Sequence, residues 1–76
     1  MPRYYFNVSD EASLDELGLD LPTLLAARHE GARLMSDIMK DHPEHFMNGG
    51  DWTLTISNDE SAELFQTRIL INNVHS

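Results

Sequence analysis

The sequence predicts an α+β fold, a small antiparallel sheet with one helix packed on one face, in the order strand, short strand, helix, strand, strand. Three observations carry this expectation. Arg3 to Val8 and Asp51 to Ser57 alternate apolar and polar side chains with the period of two expected of half-buried strands. Leu21 to His42 is the one segment long and periodic enough for an amphipathic helix. Ala62 to Ile71 alternates again, directly after the turn-forming Asn58-Asp59-Glu60-Ser61, so the last two strands form a hairpin.

In the first strand Tyr4, Phe6 and Val8 are assigned to the core, and Arg3, Tyr5 and Asn7 to the outer face. Ser9 to Asp20 is polar and acidic, and a short extended piece around Leu17 to Leu21 is placed as a fourth element pairing with the first strand. Gly18 marks a turn or a close approach. Pro22 holds Leu21 in extended geometry, which makes Thr23 the N-cap. A step of ~100° per residue then gathers Leu24, Leu25, Arg28, Gly31, Ala32, Met35, Ile38 and Met39 on the expected core face. Glu30, Arg33, Asp37 and Lys40 fall opposite, where Glu30–Arg33 and Asp37–Lys40 are surface pairs. Pro43 ends the helix at or before His42. Phe46 and Met47 are expected to tuck back from the following loop, and Gly49-Gly50 punctuates it. Trp52, Leu54 and Ile56 point into the core from the third strand, and Phe65, Thr67, Ile69 and Ile71 from the last.

Seventy-six residues fit one domain, residues 1–76. A core this small is marginal alone, and with no cysteine neither a disulfide nor a thiolate metal site can support it, so self-association is the expected supplement. Thirteen acidic against five basic residues give a net charge of −8, which argues against nucleic acid as a partner. Tyr4, Tyr5, Phe6, Trp52 and Phe65 suggest a stacking platform for single strands, but the charge opposes it and the core claims half of these rings. No apolar run resembles a signal peptide or a membrane span, so a cytoplasmic protein is expected.

The opening Met1-Pro2-Arg3-Tyr4-Tyr5-Phe6, Gly18 with Leu21-Pro22, the helical Ala26-Ala27-Arg28 with Glu30, and Trp52 to Ile56 before an acidic turn resemble a family of short, mostly alphaproteobacterial proteins known only as a domain of unknown function. Thr23 stands where that family often has aspartate, Ser61 where a turn glycine is common, and Gly31 where alanine is more usual. The resemblance implies a fold and a bacterial source; it supplies no activity, cofactor or catalytic residue.

No serine or threonine sits in a nucleophile elbow, and Gly49-Gly50 lacks the lysine and helix of a phosphate loop, so no enzymatic activity and no cofactor are expected. His42, Glu44 and His45 are candidate divalent-metal ligands, although Pro43 interrupts the helix between them and a solvated loop is the plainer reading. Arg28 stands out in the middle of the apolar helix face. Its plainer role is a stem laid over the sheet with the guanidinium on an edge carboxylate; the alternative is an arginine that anchors a partner or ligand. The leading functional reading is a self-associating protein–protein interaction module, a dimer using Tyr5, Leu64 and Leu70 on the outer sheet face. An antitoxin-like or regulatory module binding a basic protein is the alternative, and a divalent metal binder is the third.

Overall fold

The computed structural model describes residues 1–9, 17–72 and 74. Strands β1 (Arg3–Val8), β2 (Leu19–Asp20), β3 (Gly50–Ser57) and β4 (Glu63–Ile71) form one antiparallel sheet in the order β2-β1-β3-β4. Between β2 and β3 run helix α1 (Leu24–Asp41) and a 3₁₀ turn over Pro43–Phe46. The expected α+β class is what the chain adopts, and the short fourth element is real: Arg3 faces Asp20 and Tyr4 faces Leu19. Most of the acidic loop before it lies outside the described residues.

Arg3 stitches β2 to β1. Its guanidinium grips the Asp20 carboxylate with two bonds of 3.1 Å and also donates to the Leu17 carbonyl. Gly18, at φ +70°, lies against the stem of Arg3 and the ring of Tyr5; a Cβ there would sit 2.8 Å from Arg3 Cγ and 2.9 Å from Tyr5 Cε2. Close approach and a left-handed backbone both require glycine. Thr23 caps α1 by accepting from the Ala26 N–H at 3.1 Å, and the helix ends at His42, whose N–H reaches the Ile38 carbonyl.

Helix α1 packs mainly on β3, with Gly31 at the closest approach, over Leu54 and Ile56 and beside Phe6 of β1. One buried cluster joins Tyr4, Ala27 and Ile56; another joins Met35, Trp52 and Leu54, and partly buried Phe6 packs against both. Here the sequence expectation needs correction. Ala27, Gly31 and Met35 are the buried helix residues, flanked by half-buried Leu24, Leu34 and Ile38, while Leu25, Arg28, Ala32 and Met39 are exposed. The core face is rotated by about 60° from the one expected. Small side chains at positions 27 and 31 let the helix axis approach the sheet, and that contact outweighs the count of larger apolar residues on the neighbouring stripe. Surface pairing differs too, because Arg33 takes both Glu30 and Asp37, leaving Asp37 to Arg33 and not to Lys40. Phe46 packs against the second cluster as expected, whereas Met47 is exposed.

The β3–β4 hairpin turns on Asn58, whose side-chain oxygen accepts from the N–H groups of Glu60 at 2.9 Å and Ala62 at 3.0 Å. Ser61 stands at φ 63°, in the left-handed region. Ser61→Gly is therefore expected to raise stability by up to about 1 kcal/mol, the strain relieved outweighing the extra chain entropy; a lower urea midpoint would refute this. Ile56 faces Phe65 and Ser57 faces Glu63, a bulge that leaves Leu64 with no residue opposite on β3.

On the outer face Arg68 reaches diagonally to Asp51, with Nε 2.9 Å from Oδ1 and NH2 bonded to Oδ2. The Arg68 hydrogen bond holds the Asp51 carboxyl below its ordinary value. A carboxyl lowered in the folded state adds stability above its unfolded value and loses it as pH falls through the folded one. Arg68→Gln is expected to move the Asp51 titration, followed by NMR of the side-chain carboxyl carbon, upward towards the ordinary aspartate range. An unmoved midpoint would show that the pair is not held in solution.

Candidate functional site

Arg28 emerges from α1 at the border of the buried face, beside β4. Its Cζ lies 4.4 Å from the centroid of the Phe65 ring. Together with Leu25, His29, Ala32 and Thr67, these two residues line an open trough of about 300 Å³ between α1 and β4. The expected carboxylate partner at the sheet edge is absent among the described residues, and the aromatic face of Phe65 takes its place. Arg3, Arg33 and Arg68 each hold a carboxylate, so Arg28 is the arginine whose N–H fork faces no acid among the described residues. Stacking fixes one face of a guanidinium while leaving its in-plane donors free for a partner.

The trough lies where α1, packed mainly on β3, meets β4: Phe65, Thr67, Ile69 and Ile71 on the inner face of β4 are only half-buried. Leu25, Arg28, His29 and Ala32 on the exposed side of the helix form the other wall. Sequence reasoning identified Arg28 but not Phe65 beneath it, since the rotation of the helix was hidden by two overlapping apolar stripes.

Of Tyr5, Leu64 and Leu70, the residues expected to form a shared outer patch, the two leucines are not brought together. Tyr5 is half-buried, with Gly18 packed on its ring. Leu64 and Leu70, exposed by 39% and 62%, stand near opposite ends of β4. Between them Gln66 donates to Thr55 Oγ1 at 3.2 Å and Arg68 grips Asp51, so the face between the two leucines is polar. Tyr4 and Trp52 are buried, which leaves the aromatic residues without a common exposed platform.

His42, Glu44 and His45 do come together. The 3₁₀ turn closes with the His45 N–H on the His42 carbonyl at 3.1 Å, and residues three apart lie above one another in such a turn. His42 Nδ1 is 3.4 Å and His45 Nε2 is 3.9 Å from the same oxygen of Glu44. The three donor atoms all lie within 4.8 Å of one another. The Glu44 carboxyl is held below its ordinary value, first by its own backbone N–H and then by His42. The ring of His45 lies 5.4 Å from that of Trp52, and Phe46 packs on the same indole at 4.8 Å.

No helix among the described residues is long and apolar enough to cross a membrane. Comparison with curated proteins finds no match, and comparison with solved structures finds none either. A family model described as a domain of unknown function, DUF6894, matches residues 3–70. That span takes in every strand but the last residue of β4, the whole helix and the 3₁₀ turn. The chain therefore belongs to the DUF6894 family, a domain of unknown function, as the motifs at its start and within its helix had suggested.

Proposed function

We propose that this protein is a non-catalytic protein–protein interaction module that self-associates through the free edge of β4 and the trough beside it. One observation carries the reading. Strand β4 runs for nine residues, the longest in the sheet, and pairs on one side only, with β3. A long edge strand with half-covered apolar side chains is a template for another strand unless something blunts it. Neither proline nor lysine does so here, and the bulge at Leu64 is confined to one end.

A second copy running antiparallel about a twofold axis at Thr67 sets Phe65 against the partner's Ile69 and Leu64 against the partner's Leu70. This arrangement uses the two exposed leucines through the edge instead of the face, and Arg28 then flanks the seam. Opposing it is the net charge of −8 on each copy, so added salt should strengthen association. Sedimentation equilibrium at tens of micromolar, at low and at moderate salt, is expected to show a dimer favoured by salt. Leu70→Lys, at an exposed position, is expected to weaken the dimer about tenfold or more. A strict monomer overturns self-association; a dimer indifferent to Leu70→Lys overturns the edge as its site.

A further inference from the structure

We propose that His42, Glu44 and His45 form a binding site for a divalent transition-metal ion such as Zn²⁺, Ni²⁺ or Cu²⁺. The inference is independent of the edge-pairing reading, since none of the three residues belongs to β4 or lines the trough.

Ligand type comes first. Two imidazoles and one carboxylate suit zinc, nickel and copper, and are a poor set for calcium or magnesium, which require mostly oxygen. Spacing comes next. Bonds of about 2.0–2.2 Å place neighbouring donors in a tetrahedral site about 3.4 Å apart. Glu44 already has one imidazole nitrogen at 3.4 Å and the other at 3.9 Å. With all three donors inside 4.8 Å, side-chain torsions alone can close the set around an ion.

Preorganisation favours the site as well. His42 is fixed as the residue ending α1, Pro43 restricts the backbone next to it, and Phe46 anchors the far end of the turn on Trp52. Binding therefore orders three side chains and not a loop. All three are exposed, with side-chain accessibilities of 58%, 64% and 42%, so water completes the coordination and the site remains open. Pro43, which from sequence seemed to separate the ligands, sets the tight turn that joins them.

Trp52 makes the site measurable. It is the chain's one tryptophan and its ring is in contact with that of His45. Titrating the full chain with Ni²⁺ or Cu²⁺ is expected to quench Trp52 fluorescence saturably, and Zn²⁺, which does not quench, is expected to reverse it by competition. Calorimetry with Zn²⁺ should give one site per chain. His42→Asn and Glu44→Gln, which leave the His45–Trp52 contact in place, are each expected to weaken binding about tenfold or more. His29→Asn, on the trough, should leave it unchanged. Absence of saturable heat and quenching overturns the proposal. So does binding that survives His42→Asn and Glu44→Gln, or that is lost in His29→Asn.

Discussion

Leu54→Ala is expected to leave much of the chain unfolded at 25 °C. Leu54 is 1% exposed, at the centre of β3, where it joins Met35 and Trp52 and lies directly under Gly31. Truncating such a leucine costs about 2–5 kcal/mol, the upper part applying where neighbours cannot collapse into the space. Collapse is restricted here: the helix above is already at its closest approach, and the sheet below is held by β1 and β4 on either side of β3. A domain of this size has only about 3–5 kcal/mol to lose. Urea titration followed by Trp52 fluorescence should therefore show little or no folded baseline. In the monomer, at concentrations too low for association, Leu70→Ala, on the same sheet but 62% exposed, should change stability by less than about 0.5 kcal/mol. A loss below about 1 kcal/mol for Leu54→Ala would mean that the second cluster is not the core it resembles.

The contrast between Leu54 and Leu70 marks what was legible in the sequence. Strand faces were, because a period of two assigns every side chain once one residue is placed: Trp52, Leu54 and Ile56 are buried as their alternation required. The helix limits were, because Pro22, Thr23 and Pro43 act through local sterics and capping. The rotation of α1 was not. Its sequence carries two adjacent apolar stripes, and the choice between them depends on how closely Ala27 and Gly31 let the helix approach a sheet that lies elsewhere in the chain. The bulge at Leu64 escaped for a similar reason, since it is set by the turn at Asn58 and Ser61 and leaves the alternation from Phe65 to Ile71 intact.

The functional candidates divide along the same line. His42, Glu44 and His45 are near neighbours in sequence, so they could be named as a set, but their convergence depended on Pro43 starting a 3₁₀ turn instead of an extended exit. Arg28 was conspicuous only because it was assigned to the middle of the core face. Its actual place at the border of that face, over Phe65, removes the anomaly of a buried charge and leaves a different feature, a guanidinium held by an aromatic ring at the mouth of a trough. Leu64 and Leu70 were grouped in one outer-face patch because alternation reports which face a residue is on, and not whether the residues between are polar or already bonded.

Gly31→Ala should show the opposite of its helix propensity. Alanine is favoured over glycine in a helix by about 1 kcal/mol, so on local grounds the substitution stabilises. In the fold, a Cβ at this position would stand 2.6 Å from Leu54 Cδ2 and 3.4 Å from Ile56 Cδ1. The first contact is far inside normal carbon separation, and Leu54, almost fully buried between Met35 and Trp52, can turn aside only against its neighbours. Overpacking of this kind costs about 1–3 kcal/mol, which more than offsets the propensity gain at the middle of its range. A net loss of about 1 kcal/mol is expected in the parent chain. The same substitution in a Leu54→Val background has a different expected sign, because the shorter side chain withdraws the offending methyl and lets the propensity term through. A double-mutant cycle read from urea unfolding should give a coupling of about 1–3 kcal/mol between the two positions. If Gly31→Ala instead stabilises both backgrounds equally, the close approach of α1 is not what fixes its rotation, and the exposure of Leu25 and Ala32 that opens the trough beside β4 must have another cause.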